Sequence, residues 1–484
     1  MTAAPNGATL AGAMTGPHPH AAGGEVLGHP KGLGFLFATE MWERFSFYGM
    51  RALLVLYMVR SLLHPDQVTA VLGFATLRSG FEYLFGPLGI QPLASQIYGT
   101  YTGLVYLTPI AGGWLADRVL GRRRTVILGA VLMAIGHFMM AFKPLFLFAL
   151  LALILGSGAF KPNISTQVGG LYPPGDERRD RAYSIFYVGI NIGAFFSPLV
   201  CGTLGETLGW DLGFGAAGVG MLIGLAIYLA GQRHLPPEAP PRRVIAKRPP
   251  LTGDERRATV ALVILCLLTT LFWAVYEQQG NTIALWADGF TDRAITLPFG
   301  RWEIPTTWFQ AFNPLMIFAF TPAVIGWWAR QAKRGREPSD IVKMSWGCFG
   351  PALANLLMAL AAWHTGAAGQ ASWLWLLGYF VVITIGELYL SPIGLSLVSK
   401  AAPRSILSMM MGVWFIASFL GNFLAGWLGS LWSGMDKVTF FLMIAAISAL
   451  AGGLIRLFDA PLRPLLEGPP GGAPGDHRLP EEQS

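Results

Sequence analysis

The stretch Glu40-Met-Trp-Glu-Arg-Phe-Ser-Phe-Tyr-Gly-Met-Arg51 lies inside an apolar run from about Leu33 to Leu63, long enough to cross a bilayer with some tilt. At about 100° per residue, Glu40, Glu43, Arg44, Phe47, Tyr48 and Arg51 share one helix face. Two carboxylates and two guanidiniums in hydrocarbon cost about 2.5–3.5 kcal/mol each even on lenient insertion scales. They must therefore face a polar cavity and one another. A salt-bridge cluster that only holds a bundle together is the blander alternative, but packing rarely needs four charges on one stripe.

The remaining sequence says the same. Of 484 residues, 53% are hydrophobic and 13% charged, which excludes an ordinary soluble domain. About twelve apolar segments of roughly 20 residues centre near Val55, Val105, Met133, Leu153, Phe186, Leu222, Leu268, Phe318, Leu356, Ile383, Ile416 and Ala446. The expected fold is an all-α membrane protein. The Gly/Ala/Pro/His-rich start, 1–31, reads as a disordered tail without a cleavable signal, and 461–484 as a second tail. A Pro-rich basic linker, 232–257, separates six segments over 32–231 from six over 258–460.

The net charge of +7 is not a nucleic-acid patch. Arg118, Arg122, Arg123, Arg124, Arg178, Arg179, Arg181, Arg242, Arg243, Arg330 and Lys333 all fall in the even-to-odd loops. By the positive-inside rule both termini are cytoplasmic. Cys201, Cys266 and Cys348 sit in or beside apolar segments, and neither they nor the eight histidines have metal-ligand spacing. No cofactor is expected. The connection from about His64 to Pro92 is long, and its role is not readable.

Further polar groups interrupt the later segments: Lys161 on the fourth, Asn191 on the fifth, Glu277 on the seventh, Gln310 and Asn313 opening the eighth, and Glu387 with Ser391 on the tenth. A lone membrane lysine needs a carboxylate or sheds its proton; a lone amide such as Asn191 is by itself an interhelical hydrogen bond. Tyr48, Tyr106, Trp308 and Trp414 are either aromatic lining or ordinary packing. Lined by both signs of charge, such a site suits a zwitterion, with apolar walls that discriminate weakly.

The motif E-x-x-E-R-F-x-x-Y-G at Glu40 to Gly49 resembles the signature of the proton-coupled oligopeptide transporter (POT/PTR2) family. Phe186-Tyr-Val-Gly-Ile-Asn-Ile-Gly-Ala-Phe195 resembles its second signature, and Gly112-Gly-Trp-Leu-Ala-Asp-Arg118 a loop motif of the major facilitator superfamily, with Asp117 and Arg118 in a charge relay to a neighbouring helix end. The resemblance spans Phe35 to Phe458. It implies two six-helix bundles, import of di- and tripeptides with protons across a bacterial inner membrane, and a monomer. Glu387, with Asn191 and Asn313, would hold the peptide amino terminus. Arg44 and Lys161, with Tyr48 and Tyr106, would hold the carboxylate. Arg51, Gln310, Ser391 and Trp414 would complete the site. Glu40, Glu43, Arg44 and Glu277 would couple protons, and the pairs Arg51–Glu277 and Lys161–Glu387 would act as gates. Phe47 replaces a family tyrosine, and Gly99 a histidine of animal relatives. A transporter of nitrate or another small anion on the same fold is the alternative, although an anion alone leaves Glu387 without a partner. An intramembrane enzyme would need a nucleophile, metal or cofactor motif, and none is found. A scaffold with a dead transport site is the third rival.

Overall fold

A computed structural model describes residues 24–173, 175–238, 251–297, 300–366, 369–403 and 405–466. Most of the predicted tails (1–23 and 467–484) and the centre of the linker (239–250) lie outside the described residues.

The described chain opens on a hairpin rather than a tail: β1 (Glu25–Val26) pairs antiparallel with β2 (His29–Pro30), and Leu27 and Gly28 turn it at positive φ. Then follow α1 (Lys31–Tyr57), α2 (Pro65–Val68), α3 (Phe74–Phe85), α4 (Ile90–Leu107), α5 (Pro109–Leu115), α6 (Arg122–Met139), α7 (Phe146–Gly170), α8 (Arg178–Ser197), α9 (Thr203–Thr207) and α10 (Trp210–Gly231). Tight or widened turns continue several helices into longer rods, notably π-turns at Met58–Leu62, Ala116–Leu120 and Pro198–Gly202.

The second group starts with α11 (Gly253–Tyr276), five residues before the expected 258. Thr252 and Glu255 close a reciprocal capping box there. A 3-10 turn, Glu277–Gly280, leads into α12 (Thr282–Gly289). Strand β3 (Thr291–Asp292) and the hairpin β4 (Ala294–Leu297) with β5 (Gly300–Glu303) precede a 3-10 turn, Thr306–Ala311, and α13 (Phe312–Lys333). The chain continues through α14 (Asp340–Thr365), β6 (Ala371–Ser372), which pairs with β3, then α15 (Leu374–Ala401), α16 (Leu407–Ser430) and α17 (Lys437–Leu466). The last helix runs beyond the expected 460.

All twelve predicted centres fall inside separate long helices. Nine of the described rods are long and apolar enough to span a membrane, from Lys143–Gly170 to Lys437–Leu466. The count of twelve thus goes beyond those nine. The other three rods are the polar ones: α1 carries Lys31, two glutamates and two arginines, α4 is interrupted by Thr108 and Pro109, and α6 opens on three arginines. The long rods are apolar all round. On α7, Ala149, Leu150 and Leu153 are buried while Phe148, Leu151 and Leu155 are about half exposed, which is stable only in hydrocarbon.

Within the first group α1 packs on α8 and α10, and α6 on α7; within the second, α14 packs on α15 and α17. The groups meet along α4 and α16. A Cβ on Gly99 would stand 2.5 Å from Gly426 Cα, so this crossing requires bare backbone. Alternation of the rods puts Arg118, Arg122 and Arg178 at one end of the molecule, the basic face. Arg60, Glu206 and Asp288 lie at the opposite face.

Candidate functional site

Near the middle of α1, Glu40, Glu43 and Arg44 are all buried. Arg44 Nε lies 3.0 Å from Glu40 Oε1 and 2.5 Å from Glu43 Oε2. Two carboxylates share one guanidinium, and the hydrogen bonding is also incomplete: Glu40 Oε2, Glu43 Oε1 and Arg44 Nη2 are buried without a hydrogen-bond partner among the described residues. Groups of this kind are costly and mark functional places more often than packing. One turn on, the Phe47 ring lies 5.4 Å from Arg44 Cζ and 5.4 Å from Lys161 Nζ. Lys161, from α7, also stands 4.5 Å over the Tyr106 ring.

Arg51 reaches the second group. Its Nη2 pairs with Glu277, and its Nε donates to Tyr98 Oη at 2.7 Å. Glu277 begins the 3-10 turn after α11, so the break in that rod puts a carboxylate where the two groups meet. The turn ends on Gly280, where a Cβ would lie 1.9 Å from Tyr98 Oη. Tyr98 and Gly280 escaped the sequence reading because a tyrosine and a glycine on distant apolar segments carry no shared motif.

Between the groups lies a cavity of about 260 Å³. The first group contributes Tyr48, Arg51, Tyr106 and Asn191; the second contributes Glu277, Gln310, Asn313, Glu387, Ser391 and Trp414. Asn313 Nδ2 donates to Glu387 Oε2 at 2.9 Å and to Thr384 Oγ1 at 3.0 Å, while its Oδ1 faces the Tyr276 hydroxyl at 3.4 Å. Asn191 spends one donor on its own helix, at Tyr187 O. The predicted residues therefore gather in two adjoining parts. Glu40, Glu43, Arg44 and Lys161 form a cluster beside the cavity, and Tyr106, which lines it, connects them.

Three expectations are corrected. Lys161 and Glu387 form no ion pair among the described residues: the lysine lies over aromatic rings and the glutamate is held by Asn313. Trp308 does not line the cavity; its Nε1 donates to Thr203 Oγ1 at 2.8 Å at the opposite face. Asp117 and Arg118 supply little of the expected helix-end relay, which is reduced to one long contact at the start of α6. Asp117 is exposed, 3.8 Å from Arg122, and Arg118 has no ion pair among the described residues. The backbone donors at the start of α6 are capped by Glu238, which accepts from the N–H groups of Arg122 and Arg123.

The family model described as PTR2, POT family, matches residues 123–251 and 250–448. A di-/tripeptide transporter of Lactococcus lactis subsp. cremoris is 33% identical, the match covering 91% of this chain and 97% of that protein. The chain belongs to the POT family. A peptide transporter of Yersinia enterocolitica is 32% identical over 92% of this chain and 96% of its own length. The crystal structure of a mutant peptide transporter POT in complex with alafosfalin superposes with a TM-score of 0.80 at 29% identity, covering 93% of this chain and 98% of that one. The fold is accordingly the POT fold, a helical membrane transporter of the major facilitator type.

Proposed function

We propose that the protein is a proton-coupled symporter that imports di- and tripeptides across a bacterial cytoplasmic membrane as a monomer, with both termini inside. The observation that carries this reading is the polarity of the cavity. The second group contributes the Glu387 carboxylate fixed by Asn313; the first contributes Arg51, paired with Glu277, with Lys161 and Arg44 behind the Tyr106 and Phe47 rings. A peptide has an ammonium and a carboxylate at a separation set by its length, and fits between them. A small anion would leave the Glu387 wall unused. The curated relatives named as di-/tripeptide transporters support the same cargo.

In this reading Glu387, Asn191 and Asn313 receive the amino terminus, and Arg44, Lys161, Tyr48 and Tyr106 the carboxylate. Gln310, Ser391 and Trp414 line the space between. A proton gained by Glu40, Glu43 or Glu277 frees its basic partner, and the released cation favours a different pairing between the groups. The halves, 32–231 and 258–460, then rock about the midplane site. Arg51–Glu277, Arg60–Asp288 and the Glu206 contacts all join the groups on the side away from the basic face; with the termini inside, that side is the outside, and the arrangement is read as the state closed there. One charge moved through about 100 mV supplies about 2.3 kcal/mol, enough for roughly fiftyfold accumulation of a neutral peptide.

The test is uptake of labelled dialanine into liposomes holding the purified protein, with and without an inward proton gradient. Gradient-dependent accumulation that vanishes in Glu387→Ala is expected. Failure of folded protein to take up any peptide would overturn the cargo.

A further inference from the structure

The opposite face contains a second junction outside the Arg51–Glu277 pair, built from residues that none of the signatures includes. On the fifth rod, the π-turn Pro198–Gly202 and the short α9 place Gly202, Thr203 and Glu206 toward the second group. They receive Thr306, Thr307 and Trp308, the start of the eighth rod. Glu206, whose side chain is only 6% exposed, accepts from Thr306 N at 2.9 Å, Thr307 N at 2.8 Å and Thr307 Oγ1 at 2.7 Å. A Cβ on Gly202 would lie 1.9 Å from Thr307 Oγ1, so only glycine leaves room for that side chain. Gly202 and Glu206 are four residues apart and thus on one helix face. Trp308 Nε1 adds the bond to Thr203 Oγ1.

The chemistry makes this a latch rather than general packing. A carboxylate from one half caps the buried N–H groups that open a helical turn in the other half, where the helix dipole also favours negative charge. Three charge-assisted bonds break together when the halves part, and none survives a separation of a few ångströms. Arg60, beside Glu206 at 3.8 Å, pairs with Asp288 of the second group and so offsets part of the junction's negative charge.

We propose that the socket formed by Gly202, Thr203 and Glu206 is an outer latch, acting in series with Arg51–Glu277, that holds the transporter closed on its outside. The inference rests on the transport reading only for naming that face the outside.

The experiment measures the distance between spin labels at Thr69→Cys and Ser433→Cys, exposed sites in the two halves near this face, in protein reconstituted in lipid. Loosening the latch should raise the wide-distance population in the order native, Glu206→Gln, Glu206→Ala, with the alanine variant at least about fivefold above native, the low end of ordinary coupling between sites. Gly202→Ala should have the same effect without altering any charge, by displacing Thr307. If Gly202→Ala does not fold, judged by thermal unfolding, the near-isosteric Glu206→Gln and Thr307→Val carry the test. Native-like distances in every folded variant would overturn the latch. Because the readout is a distance, an error in the assigned cargo would leave it unchanged and would appear only in the uptake assay.

Discussion

Phe47 touches two cations at once, Arg44 and Lys161, each 5.4 Å from its ring. Two like charges near one another repel, and the ring's negative face offsets part of that repulsion at about 1 kcal/mol per cation. Phe47→Leu keeps an apolar side chain and loses the quadrupole. It should weaken peptide binding by roughly fivefold to thirtyfold, the range of one to two kcal/mol, read as a rise in the half-saturating peptide concentration. Phe47→Tyr should retain binding, since the ring is preserved. Equal affinity in the leucine variant would remove the ring from the account. Gly280 makes a second residue-level case. The Tyr98–Arg51 bond exists because no Cβ intervenes. Tyr98→Phe removes only that hydrogen bond, about 1 kcal/mol, and should slow uptake a few-fold. Gly280→Ala also displaces the ring and should do more harm; the opposite order would show that the bond, not the close approach, matters.

At the scale of the element, the rods do not depend equally on their ends. Rod seven starts outside the apolar region and has the Thr252–Glu255 capping box to satisfy its first donors. Thr252→Ala should cost about 1 kcal/mol, seen as a lowered thermal midpoint, while uptake per folded molecule stays native. A loss of transport instead would tie that helix start to the rocking motion. The existence of such rods was legible in the sequence because hydrocarbon requires runs of apolar residues, and each predicted centre lies in its own helix. The interruptions were not. Glu277 was visible as a charge in an apolar run, yet nothing in the sequence announced the 3-10 turn that aims it at Arg51. Gly202, Glu206 and Thr307 were missed for a related reason: their meaning lies in a contact across about a hundred residues, and separately they are an ordinary glycine, a glutamate near a rod end and a threonine. Conversely, Lys161 and Glu387 are each legible as polar groups in apolar surroundings, but which groups they meet is not: the lysine lies over the Tyr106 ring and the glutamate is held by Asn313.

The two groups are joined at one face by layers of different chemistry. The outermost is the Arg60–Asp288 pair with the Glu206 socket; below it lies Arg51–Glu277 with Tyr98; beside both, Gly99 packs on Gly426. In the proposed orientation the cavity lies on the cytoplasmic side of these layers, so access to it should depend on the side from which a reagent arrives. Ser391 lines the cavity from α15 and, in the proposed site, lies between the residues that hold the two peptide termini. A cysteine at Ser391 should react with a charged, membrane-impermeant maleimide in inverted vesicles and be protected in right-side-out ones. The difference should be at least about tenfold, since closure by about 1.4 kcal/mol already gives that ratio. Cys201, Cys266 and Cys348 are buried and supply little background. An inward proton gradient with peptide present should narrow the difference, because cycling exposes the same residue to both sides in turn. Equal labelling from both sides at rest would mean that the layers do not seal. A difference that no gradient or peptide alters would mean that they never open, and the rocking of two halves about a central site would then fail for this chain.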